Sequence, residues 1–159
     1  MGERIDVLGL GAVAVDDVLF LESFPRPDTK MAIQRQERRA GGNAGTALAA
    51  ARRMGRACAY AGTLGADDLS RFIMQGFAAQ GVSLAHLVQE DGAHPFHSTI
   101  LIDTATQTRT ILFDAAGVRG AHPSLPPAEV ISNAGALLVD HVGLPGMVRA
   151  ARIAREAGV

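Results

Sequence analysis

The sequence predicts an α/β fold built on a doubly wound, mostly parallel sheet, and three observations support that class. Short apolar runs at 5–10 and 57–61 have the length of buried strands and alternate with segments of helical period. Glycines stand where those helices should end, at Gly55, Gly81 and Gly158. Strands that alternate with helices require crossovers that return to one sheet, which is how a parallel sheet is built.

The predicted elements have recognisable starts and stops. Pro25 and Pro27 end the second strand because proline cannot donate to a ladder. Asp67 or Asp68 can cap the second helix, and Pro145 suits the first turn of the last one. In chain order the predictions are strands at 5–10, 13–21 and 31–38, a helix at 46–54, a strand at 57–61, a helix from 67 or 68 to 81, a hairpin of strands 98–102 and 109–113, a buried strand at 134–139 and a helix from 145 to 158.

The end of the sequence bears on its organisation. The last predicted helix stops at Gly158-Val159, where the next strand of such a sheet is expected. We therefore expect residues 1–159 to be the N-terminal portion of a longer domain.

Composition excludes several classes of function. Hydrophobic residues make up 48% of the chain and the formal net charge is −1, so no basic field is present to attract nucleic acid or a membrane surface. No apolar stretch reaches the roughly 18 residues of a spanning helix, and the early Glu3 and Asp6 do not fit a signal peptide. The single cysteine, Cys58, lies in an apolar run and is expected to be a buried structural thiol. We expect a soluble, cytoplasmic protein.

The sequence predicts no metal site, because its five histidines are scattered without the spacing of metal ligands. Asp140 and His141 end a predicted parallel strand, which is where ligands of open α/β sheets usually bind. Asp140 is therefore a candidate for the edge of a site.

The Gly41-Gly42-Asn43 run before a helix has two interpretations. Glycines let the backbone approach a ligand, and the first amides of a helix point outward, so such a turn can bind phosphate or sugar hydroxyls. Asn43 adds a side chain that both donates and accepts hydrogen bonds. A tight strand-to-helix turn that binds nothing explains the glycines equally well.

Asp16 stands in an otherwise apolar run, where a carboxylate must be exposed, paired or part of a site. Its two oxygens could accept hydrogen bonds from neighbouring hydroxyls of one sugar, and a solvated strand end is the equal alternative. Asp17 would face the other side of the strand, and we interpret it as solvated.

The motifs, taken in order, resemble those of the ribokinase-type (PfkB) carbohydrate kinases. The Gly9-Leu10-Gly11 turn leads to Asp16, the Gly-Gly-Asn run at 41–43 opens a helix that ends at Gly55, and a Gly-x-x-Gly-x-Asp stretch follows at 62–67. Their order and spacing match the family from about Val7 to the end of the chain. Gly41-Gly42-Asn43, Asp28 and the segment 109–113 look closest to ketohexokinases.

The resemblance implies a ribokinase-like fold with a small β-lid, formed by the segments 18–38 and 96–113. In many relatives two lids clasp to form a homodimer, and in ketohexokinase-like dimers Asp28 would reach the partner subunit's sugar. Arg109 stands where a lid arginine could meet phosphate, and a solvated hairpin charge is the equal alternative.

The resemblance also implies the residues that bind the small sugar substrate. These are Asp16, Gly41, Gly42, Asn43 and Thr46. The family usually has asparagine at the position of Thr46, and threonine lacks the reach and the second donor of that amide. The preferred sugar is therefore left open.

The catalytic residues that the resemblance implies do not occur in this sequence. In the family a Gly-Ala-Gly-Asp segment in the second half supplies an anion hole and the aspartate base, and ATP and Mg²⁺ are the cofactors. No such segment and no P-loop occur between Met1 and Val159. We expect the full-length protein to phosphorylate a primary hydroxyl of a small sugar. This chain alone should contain no catalytic residue, bind ATP poorly and be inactive.

Two alternatives remain at this stage. Gly9-x-Gly11-x-x-Ala14 after a strand mimics the dinucleotide-binding fingerprint, but that motif needs a helix directly after the glycines, and 13–21 favours a strand. The second alternative is a non-catalytic sugar-binding or dimerising remnant that uses the lid.

Overall fold

A computed structural model describes residues 5–159, so Glu3 lies outside the described residues. The helices are α1 Asn43–Arg53, α2 Asp68–Gln80, α3 Ala128–Ser132 and α4 Leu144–Ala157. The strands are β1 Val7–Gly9, β2 Ala14–Leu21, β3 Arg35–Gly41, β4 Cys58–Tyr60, β5 Gly62–Leu64, β6 Val88–Gln89, β7 Phe96–Asp103, β8 Thr108–Asp114, β9 Gly120–Ala121 and β10 Ala136–Leu138.

Strands β10, β1 and β4 form a three-stranded parallel sheet, here called the central sheet. Leu8 in its middle strand is paired with Ala59 on one side and Leu137 on the other. Helices α1 and α2 pack on one face of this sheet, and α3 and α4 pack on the other. The predicted doubly wound α/β arrangement is confirmed.

Alternation along the central strands supplies a core on each side of the sheet. Leu8 and Ala59 point towards α3 and α4, whereas Cys58 and Tyr60 point towards α1 and α2. Cys58 is buried, as predicted, and burial raises the pKa of its thiol.

Strands β3, β2, β7 and β8 form a four-stranded mixed sheet, here called the outer sheet. β2 runs parallel to β7, while β3 and β8 are antiparallel to their neighbours. The predicted hairpin is confirmed as β7 and β8, and both strands are longer than expected. Asp103 closes its turn, because Asp103 Oδ1 accepts from the backbone amides of Ala105 and Thr106 at 2.9 Å each.

Two predicted strands differ from the structure. The strand expected at 31–38 is Arg35–Gly41, because its pairing with β2 starts at Phe20 and continues to Ala14, next to the Gly-Gly turn. The strand expected to be buried at 134–139 is β10, an edge strand of the central sheet whose Ala136 is exposed. Among residues 5–159, β10 pairs with β1 and has no strand of the central sheet on its other side.

The structure also contains elements that the sequence did not predict. Strands β6, β5 and β9 form a short third sheet, and α3 lies in the proline-rich segment expected to be a loop. Strands of two or three residues and a five-residue helix are too short to show a period.

The helix ends follow the predicted chemistry. Asp67, rather than Asp68, caps α2 by accepting from the amides of Leu69 and Ser70 at 2.9 and 3.0 Å. The three predicted stop glycines all have left-handed backbones with φ between 74° and 81°. Within residues 5–159, no helix combines the length and apolar character needed to cross a membrane.

Candidate active site

Asp140 and Tyr60 hold the loop between β1 and β2 in place through hydrogen bonds to its backbone. Asp140 Oδ2 accepts from the amide of Ala12 at 2.6 Å, and its Oδ1 accepts from the amide of Val142 at 2.9 Å. The buried Tyr60 hydroxyl donates to the carbonyl of Gly11 at 2.9 Å. Burial, followed by the nearby Asp140 carboxylate, raises the pKa of Tyr60. Asp140 therefore holds a loop at the sheet edge, and both of its oxygens are already engaged.

A strand, not a helix, follows this glycine loop. β2 begins at Ala14, three residues after Gly11. The dinucleotide fingerprint requires a helix N-terminus directly after the glycines to receive the pyrophosphate. The geometry at Gly9-x-Gly11 does not provide one, so the dinucleotide-binding interpretation is wrong for this loop.

The Gly41-Gly42-Asn43 turn is packed directly against that loop. Gly42 has φ +86°, and a Cβ there would lie 2.5 Å from both the carbonyl oxygen of Ala12 and the Cα of Val13. The amide of Gly45 donates to the same Ala12 carbonyl at 3.2 Å. Only glycine fits this close approach. Part of the glycine pattern is thus explained by backbone packing alone.

Helix α1 starts at Asn43 without a side-chain cap. Asn43 is exposed, and so is Thr46 one turn later. The uncapped amides carry the partial positive charge of a helix N-terminus, which favours hydrogen-bond acceptors and negative charge nearby.

Asp16 is brought to this helix start by the outer sheet. Its carboxylate lies against Gly41, where a Cβ would come within 2.5 Å of Asp16 Oδ2. Asp16 is half-buried, and among residues 5–159 its side chain has no hydrogen bond or ion pair. A carboxylate partly removed from water without a partner has unused acceptor capacity. The structure therefore brings together Asp16, Gly41, Gly42 and the first turn of α1.

Asp17 does not have the solvated environment that we predicted. Its side chain is only 14% exposed and receives two hydrogen bonds of 2.7 Å from the Arg38 guanidinium. His97 Nε2 lies 2.8 Å from Asp17 Oδ2. The Arg38 hydrogen bond, opposed by burial and supported by His97, lowers the pKa of Asp17 to about 2. The prediction failed because Arg38 and His97 reach Asp17 from two neighbouring strands, which the sequence does not place.

Arg39 is a neighbour of the site that the sequence analysis missed. It is paired with Asp16 across β2 and β3, so the two side chains share one face of the outer sheet. Glu37, two residues earlier on that face, accepts hydrogen bonds from the Arg39 guanidinium and forms an ion pair with Arg35. Arg35, Glu37 and Arg39 alternate in charge along one face of β3. This pattern would have indicated the cluster if the strand had been predicted at 35–41.

Arg109 shares the face of Asp16 but lies far along it. The β8 residue level with Asp16 is Phe113, because both align with Ser98 of β7. Arg109 is 4 residues further along β8, which corresponds to roughly 13 Å at a rise of about 3.3 Å per residue. The structure does not bring Arg109 and Asp16 together.

Asp28 lies in the exposed loop between β2 and β3 with a left-handed backbone, φ +58°. Among residues 5–159, no hydrogen bond or ion pair connects the Asp28 side chain to Asp16. Residues 5–159 contain no group of three or more His, Cys, Asp or Glu side chains placed to hold a metal ion.

The chain is similar in sequence to a ribokinase and to a ketohexokinase. It is 26% identical over 161 residues to a bifunctional ribokinase/ribose-5-phosphate isomerase A of Fructilactobacillus sanfranciscensis, covering 96% of this chain and 29% of that protein. It is 24% identical over 110 residues to mouse ketohexokinase, covering 69% of this chain and 37% of that protein. The chain thus spans less than half the length of these curated relatives.

Solved structures share the fold. Ribokinase of Arabidopsis thaliana, determined in complex with ribose and ATP, superposes with a TM-score of 0.83 at 18% identity. The match covers 99% of this chain and 52% of that one. Residues 4–159 match the pfkB family of carbohydrate kinases, nearly the whole sequence. The chain therefore belongs to the pfkB carbohydrate kinase family.

Proposed function

We propose that this chain is the sugar-binding part of an ATP-dependent kinase that phosphorylates a primary hydroxyl of a small sugar. The observation that carries the proposal is the unpaired Asp16 carboxylate, held against Gly41 at the uncapped start of α1. Family membership supplies the reaction class.

The residues at this position have complementary hydrogen-bonding roles towards a sugar. The two oxygens of Asp16 accept from neighbouring hydroxyls of the ring. The Asn43 side chain and the Asn43 backbone amide, the first of α1, donate to hydroxyl oxygens. Thr46, exposed one turn into α1, offers a hydroxyl where the family usually has an amide, and we expect it to adjust which sugar is preferred.

We propose that the outer sheet acts as a lid and dimerises with the lid of a second copy. Its edge strand β8 exposes Ile111, Leu112 and Phe113, and large exposed apolar groups side by side favour a protein partner. Asp28, exposed in the β2–β3 loop, would then reach towards the partner's sugar. Arg109 is the candidate for contacting phosphate once the lid closes.

ATP and Mg²⁺ belong to the proposed reaction, and we do not expect the described residues to form a site for either. No Gly-Ala-Gly-Asp segment or P-loop is present in the sequence. We propose that the nucleotide site and the aspartate base come from the part of the family domain that this chain does not span. The role of the present residues is to bind and orient the sugar.

The test compares two adjacent aspartates in the full-length kinase. Asp16→Asn removes the charge that faces the sugar, whereas Asp17→Asn removes an equal charge on the opposite face. Asp16→Asn should lower kcat/KM for the best sugar by about tenfold or more, because hydrogen bonds to a charged group contribute about 1.5–3 kcal/mol. Asp17→Asn should leave KM close to the wild-type value.

Steady-state assays with ADP release, and NMR of the product to locate the phosphate, are the measurements. An unchanged kcat/KM for Asp16→Asn would remove Asp16 from the sugar site. The 159-residue polypeptide, assayed alone, should release no ADP above background. Sugar binding or dimerisation without turnover by any longer form would favour the non-catalytic alternative.

A further inference from the structure

A cavity of about 430 Å³ opens beside the proposed sugar site, between α1, α2 and the end of β3. It touches the sugar site at Gly41 and Thr46, but neither Asp16 nor Asn43 lines it. Its volume lies within the range of small-molecule sites. Its other polar lining residues are Arg39, Arg53 and Gln80, and the rest of the lining is apolar or glycine, including Ile73, Gly76 and Phe77.

The charged residues that line this cavity are all positive. Arg39 and Arg53 line it, and no carboxylate does. Arg53 has no ion pair or hydrogen bond from its side chain among residues 5–159. Arg39 is bound on one side by Glu37 through Nε and one terminal nitrogen, which leaves the other terminal nitrogen free to donate. Two guanidinium groups around one opening favour an anionic ligand, above all a phosphate.

Gly76 keeps the cavity open at a cost in helix stability. It lies inside α2, where glycine is less favourable than alanine by about 1 kcal/mol. Its backbone does not need glycine, because it is not among the residues with positive φ. Packing does not need it either, since a Cβ there would meet nothing within 4 Å. The absence of a side chain at Gly76 therefore leaves open space in the cavity and is not required to avoid a steric clash.

Gln80, one turn after Gly76, adds polar character to the same wall. Its Nε2 donates to the carbonyl of Gly76 at 3.2 Å, whereas its Oε1 is buried without a hydrogen-bond partner. A buried acceptor without a donor is unfavourable. Gln80 therefore has unused acceptor capacity at the wall of the cavity.

We propose that this cavity binds a small phosphorylated sugar, with Arg39 and Arg53 on the phosphate and Gln80 facing a hydroxyl. The inference rests on the cavity and not on the proposed kinase activity, so either can fail without the other. The cavity and the sugar site share the first turns of α1, and a ligand in one adjoins a ligand in the other.

The test is isothermal titration calorimetry of the purified protein with ribose 5-phosphate, with ribose and inorganic phosphate as the two partial probes. Ribose 5-phosphate should bind more tightly than either probe. Arg53→Gln should weaken its binding by about tenfold, as expected for the loss of one charge-assisted contact. Arg56→Gln, an equal loss of charge at an arginine that does not line the cavity, should change the affinity by less than about twofold, because a charge that makes no contact with the ligand acts only at a distance, where salt screens it.

A second pair of variants tests the cavity without removing charge. Gly76→Leu places a side chain in the open space and should abolish binding while the melting temperature is kept or raised. Ala78→Leu adds the same side chain at an exposed position of α2 that does not line the cavity and should leave binding intact. The melting temperature of each variant, measured without ligand, shows that it is folded.

Asp16→Asn separates this site from the sugar site. Binding of ribose 5-phosphate should be unchanged in Asp16→Asn if the cavity is the site. An affinity that falls with Asp16→Asn but not with Arg53→Gln or Gly76→Leu would mean that the ligand occupies the sugar site, and the proposal would be overturned. Absence of binding to the wild-type protein, or equal losses in Arg53→Gln and Arg56→Gln, would overturn it as well.

Discussion

The central and outer sheets are both held together by backbone hydrogen bonds between strands, but their side chains stabilise them differently. In the central sheet, Leu8 and Ala59 are fully buried, with helices on both faces. In the outer sheet, every residue of β8 is exposed, and β3 consists mainly of exposed charged and polar residues. Burial of apolar surface stabilises the first. In the second, β2 contributes buried apolar residues at Val15, Val18 and Leu21, and the other strands are stabilised by backbone pairing and by side-chain contacts such as the Arg35 guanidinium 3.8 Å above the Phe20 ring.

The difference explains where the candidate site lies. A packed core fixes its atoms well but offers few polar groups, whereas an exposed sheet offers polar groups with less restraint. Asp16 belongs to the outer sheet, and Gly42 fixes the start of α1 against the loop that leaves the central sheet. The site is at the junction, where a polar group from one region meets a backbone held by the other.

The contrast predicts unequal costs for truncating apolar side chains. Leu8→Ala leaves a cavity in the fully buried core and should lower the free energy of unfolding by about 2 to 5 kcal/mol. Phe113→Ala, at a side chain that is 69% exposed, should change it by less than about 0.5 kcal/mol. Urea denaturation of both variants at low protein concentration measures the difference.

A large loss of unfolding free energy in Phe113→Ala would contradict the expected difference between the two sheets. If that loss grows with protein concentration, the outer sheet is buried against a second copy, as proposed for the lid. If it is independent of concentration, Phe113 contributes to the fold of the single chain, and the outer sheet has a core of its own.

The junction can be tested at two glycines with similar backbones. Gly42 and Gly55 have φ of +86° and +81°, but only at Gly42 does an added Cβ meet neighbouring backbone atoms. Gly55→Ala should cost about 1 kcal/mol for a left-handed alanine. Gly42→Ala should cost about 2 kcal/mol or more, because the strain is joined by displacement of the β1–β2 loop. Equal unfolding free energies for the two variants would show that the loop moves freely and does not fix the site.

The central region could be predicted from the sequence to a greater extent than the outer one. Buried strands such as β1 are apolar runs ended by glycine. The helix ends at Gly81 and Gly158 could be predicted because glycine readily adopts the left-handed backbone that follows a helix. The doubly wound packing follows from these local signals, and it is confirmed.

The outer sheet depends on pairings that no local signal determines. The environment of Asp17 is set by Arg38 and His97, which lie 21 and 80 residues away along the chain. The position of Arg39 beside Asp16 depends on the register of β3, which was misplaced by several residues in the prediction. Register is fixed by the whole sheet and not by one strand, so Asp16 could be found from its motif while its neighbours could not.

The Asp17 cluster predicts a pH dependence that is specific to the outer sheet. Its pKa falls from 3.8 to about 2 on folding, so the folded state favours the ionised form. The stabilisation is therefore fully present above about pH 4 and is lost as the pH falls towards about 2. Because Arg38 is 45% exposed, solvent screening limits the contribution to about 1 kcal/mol or less. The difference in unfolding free energy between wild type and Asp17→Asn, measured by urea denaturation from pH 6 down to pH 2.5, should shrink as the pH falls. A difference that stays constant over that range would mean that the Asp17 charge does not stabilise the sheet. The interaction of the carboxylate with Arg38 and His97 would then be no more favourable than its interaction with water in the unfolded chain.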